Sequence, residues 1–202
     1  MDQELDTPTP SQKTASKDEI LLLSLKLFAQ KGFFNTSLTD IKEAADIKTS
    51  NGIYQHFKSK HAIASDLYGI VLDNLSISID DIRRRNRKPS EQLRETVNLL
   101  FKLTEDAPDV MRFLLLLRIS EFLPDEKPLL ETPAFLKIKK IFLAAVKEGE
   151  IRNMDALLAY TYFFGIINHV LIMILNGSLT NAATSYESQT WTAAWNTIAK
   201  KF

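Results

Sequence analysis

The 202-residue chain contains no cysteine. That absence removes disulfides, thiolate nucleophiles and Cys-ligated zinc together, and it fits a reducing cytoplasm. Glycine and proline are sparse, at 6 and 7 residues, so the chain has little punctuation and favours long helices over many short strands. Excess charge is also missing. Lysine and arginine total 25, as do aspartate and glutamate, and even residues 1–60 balance at 8 of each sign. Binding a polyanion through bulk charge is therefore excluded. The three histidines, His56, His61 and His169, have no metal-ligand spacing with a carboxylate partner, and no His-Glu-x-x-His occurs. There is no Gly-rich phosphate loop and no Ser-His-Asp set with a nucleophile turn. Neither enzymatic activity, nor a metal, nor a cofactor is expected.

What is present is a soluble globular composition, 45% apolar and 25% charged. Residues 36–60, TSLTDIKEAADIKTSNGIYQHFKSK, read as two short helices with a tight connection. Thr36 or Ser37 can cap the first, because a hydroxyl there accepts an orphan backbone N–H. Leu38, Ile41, Ala44 and Ala45 form one apolar helical face, and Asp46 ends it. The second helix starts near Thr49 or Ser50, and Ile53 and Phe57, four apart, anchor it on a neighbour. Its other faces carry Asn51, Tyr54, Gln55, His56 and Lys58, the hydrogen-bonding and phosphate-binding types that a major-groove helix needs. Residues 47–60 hold Lys48, Lys58 and Lys60 and no acid, a local basic footprint in a neutral chain.

Together with the preceding helix, ILLLSLKLFAQKGFFNTS from Ile20, this stretch resembles the DNA-binding domain of the TetR family of bacterial transcriptional regulators. Leu27-Phe28, Gly32, Phe33, Ile53-Tyr54, His56-Phe57 and Lys58-Ser59-Lys60 carry the likeness, which covers roughly residues 18–68. The family has one residue fewer between the positions of Ile41 and Tyr54. Its glycine stands where this chain has Asn51, with Gly52 one place late. Glycine within a helix costs ~1 kcal/mol against alanine. Either a close backbone approach to DNA or a plain N-terminal turn position accounts for Gly52.

The resemblance implies an all-α protein of about nine helices. It would have an arm at 1–17, a three-helix helix-turn-helix DNA-binding domain at 18–64 and a helical ligand-binding and dimerisation domain at 65–202. The arm is polar, without the apolar core of a secretory signal, and reads either as an inert disordered tail or as a minor-groove arm through Lys13 and Lys17. The expected DNA-facing set is Thr36, Ser37, Thr39, Lys48, Thr49, Ser50, Asn51, Gly52, Tyr54, Gln55, His56, Lys58 and Lys60, with Tyr54 and Lys60 on phosphate and Thr39, Asn51 and Gln55 nearest bases.

Beyond Lys60, helices are expected at about 61–85, 90–104, 108–122, 133–148, 154–176 and 187–200, separated by proline and glycine breakers. The first of these ends in Arg83, Arg84, Arg85, Arg87 and Lys88, cations that suit a helix C-terminus. Residues 157–175 hold 19 residues without a formal charge. A dimer interface, a buried core helix and a membrane span all read this way, but Asn168 and His169 at mid-segment and the lack of flanking cations weigh against the membrane. The resemblance implies a four-helix dimer interface here with the last helix. Its residues would be Tyr162, Gly165, Ile166, His169, Ile172, Met173, Trp191 and Trp195. It also implies an effector pocket, for which Phe101, Phe113, Leu116, Arg118, Glu121, Tyr160, Phe164 and Asn168 are candidates. Arg118 and Glu121 stand three apart and read as an exposed ion pair or as a buried polar pair that orients a ligand.

The reading that results is a cytoplasmic homodimer, probing an inverted-repeat operator in double-stranded DNA as a repressor released by a small-molecule effector, with no membrane partner. The alternative is a helical ligand- or partner-binding dimer with weakened DNA recognition.

Overall fold

The computed structural model describes residues 15–48 and 51–200. Most of the expected arm, residues 1–14, lies outside that range, as do Thr49 and Ser50. Among the described residues the chain is helical, with ten α-helices and one short 3-10 turn, Leu129–Glu131. One isolated antiparallel bridge, Ile151 to Ala199, ties the loop before the ninth helix to the end of the tenth.

Local sequence explains the boundaries. Helix α1, Lys17–Lys31, opens on Ser16, whose hydroxyl accepts from the Glu19 N–H at 3.1 Å. It ends at Gly32, whose φ of +85° is a backbone conformation suited to glycine. Helices α2, Leu38–Ala44, and α3, Asn51–Tyr54, follow, and then the long α4, Lys60–Arg85. Ser59 caps α4 by accepting from the Ala62 N–H. Prolines at the first turn begin α5, Pro89–Asp106, α6, Pro108–Leu115, and α8, Pro133–Lys147. Asp155 caps α9, Ala156–Leu175, by accepting from two N–H groups, and α10 is Ala183–Ile198.

Two expected helices are corrected. The stretch from Pro108 to Phe122 breaks at Leu116–Arg118 into α6 and α7, Ile119–Phe122, so the helices number ten rather than nine. The leucine run serves two cores at once. Leu115 and Leu116 pack on the body, whereas Leu114, Leu117 and Ile119 pack on the head. A straight helix cannot place them so and also deliver Phe122 and Leu123 to the head core. The last helix starts at Ala183 rather than 187, because the Thr184 N–H and hydroxyl both donate to the Glu105 carboxylate, at 3.1 and 2.9 Å. These bonds hold the Glu105 carboxyl below its usual pKa.

The head core is built from Ile20, Leu21, Leu25 and Phe28 of α1, Ile41, Ile53 and Phe57, with Ile63, Leu67 and Leu72 of α4. The body core takes Ile79 of α4, then Leu93, Val97 and Phe101, Phe142, Phe163 and Ile167, and Ala194 and Ile198. Helix α4 thus belongs to both. Helices α4 and α9 are long and apolar enough to cross a membrane by length and composition. In α9, however, Ala159, Phe163, Ile167 and Leu171 are fully buried inside the protein's own body, where α9 packs on α8 and α10.

Candidate nucleic-acid interface

Helix α2 is set by a reciprocal cap. The Ser37 hydroxyl accepts from the Asp40 N–H at 3.0 Å, and the Asp40 carboxylate accepts from the Ser37 N–H at 2.7 Å and from the Ser37 hydroxyl. Lys31 reaches the same carboxylate at 3.1 Å. The Ser37 hydroxyl, then its backbone N–H, then Lys31 drive the Asp40 pKa far below the carboxylate range. The Ser-x-x-Asp spacing is a legible capping signal, which assigns the cap to Ser37 rather than Thr36.

After α2 the chain turns through Asp46 at φ +52°, a left-handed position that aspartate tolerates. Ile47 then drops into the head core. A Cβ at Gly52 would lie 2.6 Å from the Ile47 Cγ2. Packing of Ile47 against the α3 backbone therefore requires the glycine, an intramolecular cause that neither reading of Gly52 anticipated. Ile53 and Phe57 are buried, at 2% and 3% exposure, and fasten α3 and the turn after it to the head. That burial fixes the opposite face outward. Asn51, Tyr54, Gln55, His56 and Lys58 are exposed there, and Thr39 of α2 and Lys48 of the turn are exposed as well.

Two expected contacts are corrected. Thr36 is buried, and its hydroxyl donates to the Gly32 carbonyl at 2.9 Å, so its side chain does not face outward. The Lys60 ammonium points inward. It donates to the carbonyls of Phe33 at 2.8 Å and Thr36 at 2.7 Å, and it lies 4.2 Å from the centre of the Phe33 ring. Burial lowers the Lys60 pKa, and the charge of Asp40 opposes that shift. Lys60 thus ties the start of α4 to the α1–α2 turn. A lone lysine in sequence carries no sign of such a role, because its partners are backbone carbonyls more than twenty residues away.

The effector candidates do not converge as a set. Tyr160, Phe164 and Asn168 line a small channel-like recess of about 70 Å³ among α4, α5, α6, α8 and α9. Desolvation raises the Tyr160 pKa to about 12. Phe101 and Phe113 are instead fully buried, each in a different core, and Leu116 does not line the channel. Arg118 and Glu121 form an exposed pair at 2.9 Å on the surface, which corrects their placement in a pocket. On α9, Tyr162, Gly165 and His169 are exposed and Ile166, Ile172 and Met173 half-buried, so an uncharged face is left open to solvent. Trp191 and Trp195 are stacked at 5.3 Å and half-buried, with Trp191 edge-on to Phe163 and Arg94 over its ring.

A short helix pinned by two apolar residues, following a capped helix after a tight turn and showing polar side chains outward, defines a helix-turn-helix head on a body that is helical among the described residues. Residues 20–67 match the family model described as bacterial regulatory proteins, tetR family. Those residues, about a quarter of the chain, are similar to the TetR family's N-terminal domain. It is 35% identical over 85 residues to the HTH-type transcriptional repressor KstR2 of Mycolicibacterium smegmatis, covering 42% of this chain and 41% of that protein. The match thus spans less than half of the relative's own length. A TetR family transcription regulator from Marinobacter aquaeolei superposes with a TM-score of 0.74 at 20% identity, over 92% of this chain and 96% of that one. FadR of Bacillus subtilis, solved in complex with stearoyl-CoA, superposes with a TM-score of 0.67 at 17% identity, over 89% and 97%.

Proposed function

We propose that this protein is a sequence-specific DNA-binding transcriptional repressor of the bacterial cytoplasm. One observation carries the proposal: Ile53 and Phe57 fix α3 and the turn after it so that the polar residues of both stand on the outside, in a stretch with no acid from 47 to 60. Asn51, Gln55 and Thr39 take the base edges, since Asn and Gln can pair bidentately with adenine. Tyr54, His56, Lys48, Lys58 and the exposed Ser37 take phosphates. Residues 18–64 act as the DNA-binding domain, following the arm at 1–17, and residues 65–202 as the effector and dimerisation domain.

A small footprint requires two copies. The open face of α9, with α10, joins two chains symmetrically, and two α3 helices about 34 Å apart meet successive major grooves of an inverted repeat. A small-molecule effector bound in the body shifts the spacing of the heads, provided it binds the released arrangement more tightly than the DNA-bound one. Its polar contacts are Tyr160 and Asn168. The FadR complex with stearoyl-CoA is a precedent for an effector with a long apolar chain.

The test is a footprint on DNA flanking the protein's own gene, followed by selection from random duplexes with wild type and Gln55→Ala. Protection of an inverted repeat, with a changed preferred site for Gln55→Ala, is the expected result. No protected site at physiological salt would leave a helical dimer that binds ligands or protein partners.

A further inference from the structure

An aliphatic recess lies at the seam where α1 of the head meets α4, α5 and α6 of the body, and none of the effector candidates lines it. Its volume is about 390 Å³, against about 70 Å³ for the recess at Tyr160 and Asn168. With ~30 Å³ per water in the liquid, that is room for roughly a dozen waters. Leu21, Leu22 and Leu25 of α1 form one wall, and Leu67, Ile70 and Val71 of α4 form another. No aromatic residue takes part, so nothing in the lining offers a flat ring a stacking surface. Leu22 and Ile70 are 55% and 45% exposed at the mouth, an apolar cost that a ligand would remove.

We infer that this seam is a binding site for one straight alkyl chain that carries a neutral or cationic head group. The shape argues for the chain. Leu75, Leu100, Met111 and Leu114 line both the seam and the recess at Asn168, so a wholly aliphatic wall with room for an extended chain backs the site. The charge argues for the head group. Asp18 is the charged residue in the lining, and among the described residues no cation pairs with it, since neighbouring Lys17 is committed to Asp66 at 2.7 Å. Asn74 and Ser78 are the neutral hydrogen-bonding groups in the same lining. An ammonium or hydroxyl is matched by this mouth, and a carboxylate meets like charge. A second copy joined through α9 and α10, as proposed, would leave this recess open, because neither helix lines it. The site touches head and body together, so its ligand favours whichever head orientation keeps the seam intact. That regulatory consequence rests on the DNA-binding reading, but the binding site does not.

Calorimetry on the full-length protein without DNA tests the site, using decylamine, decan-1-ol and decanoate below their micellar concentrations. Saturable binding of one molecule per chain is expected, with decylamine tightest and decanoate weaker by about threefold to fivefold or more, the range of a partly exposed ion pair. Ile70→Glu and Leu22→Glu, at exposed positions, should keep the wild-type circular dichroism spectrum and abolish binding. Asp18→Asn should remove the preference for the amine. Unchanged binding in Ile70→Glu, decanoate binding as tightly as decylamine, or titrations that never saturate would overturn the site. A separate DNA titration of the wild type reads the repressor assignment. Its failure with alkyl binding intact counts against that assignment alone.

Discussion

The ring of Phe33 lies almost flat on the ring of Phe122, with centroids 4.2 Å apart and planes 13° from parallel. Phe33 sits in the turn between α1 and α2, and Phe122 is the last residue of α7. Lys60 holds the other side of Phe33, so one aromatic residue joins the start of α4, the head and the body. Nearby, Ser65 of α4 bonds Glu126, which fastens the α7 segment along the same seam.

Phe122→Ala should therefore loosen the head from the body. Both rings are buried, at 3% and 4% exposure, and truncating a buried Phe costs about 3–5 kcal/mol. Chemical denaturation should show that loss. Operator affinity should also fall although every DNA-facing side chain is intact. Full stability in the variant would mean that the stack carries no weight.

Lys58 and Lys60 should respond differently to alanine. Lys58 is exposed and in the acid-free stretch, so its loss should reduce the salt dependence of DNA binding by about one unit and leave stability alone. Lys60→Ala strips the carbonyls of Phe33 and Thr36 of a charged donor, at a cost of about 1–3 kcal/mol in urea unfolding. A Lys60→Ala protein of unchanged stability with a shallower salt slope would return Lys60 to the phosphate contacts.

Acid should weaken α2 before the rest of the head. The folded Asp40 pKa lies below its unfolded value, so the unfolded chain binds the extra proton and stability rises with pH in that window. The contribution of the cap is complete above the ordinary carboxylate range near 4 and is lost as pH falls toward the depressed folded value. Asp40→Asn should flatten that part of the pH–stability curve. A curve that keeps its shape in the variant would place the acid sensitivity elsewhere.

The helical architecture and the outward set at α3 and the turn after it were legible because spacing and caps are local: Ile53 and Phe57 predict which side docks, although the expected second helix ends at Tyr54 and leaves Gln55, His56, Phe57 and Lys58 beyond it. What was not legible depended on distant partners. Gly52 answers to Ile47, Thr36 to Gly32, and Lys60 to two backbone carbonyls, and none of these pairings leaves a periodic trace. The leucine run of α6 looked like one helix because each residue is apolar, while the division of those leucines between two cores is a tertiary fact. In the sequence, effector candidates stand out only as aromatic and polar residues inside apolar runs. The recess at the seam is walled instead by ordinary aliphatic side chains from α1 and α4, which carry no mark in sequence.

The open face of α9 gives the last prediction. Tyr162 and His169 are seven apart on one side of the helix, with Gly165 between them and no formal charge from Leu157 to Leu175. All three are exposed in the single chain, so a substitution there costs the fold little. In a symmetric dimer each appears twice near the axis, and Gly165 allows the two backbones to approach. Tyr162→Asp with His169→Asp would place four carboxylates in that contact, where unpaired buried charge is strongly unfavourable. Sedimentation equilibrium at micromolar concentration should show a dimer for wild type and a folded monomer for the double variant. The monomer should also lose most of its affinity for an inverted repeat while keeping weak binding to a half-site, because α3 itself is untouched. A double variant that remains a dimer, or a wild type that sediments as a monomer, would rule out α9 as the joining surface.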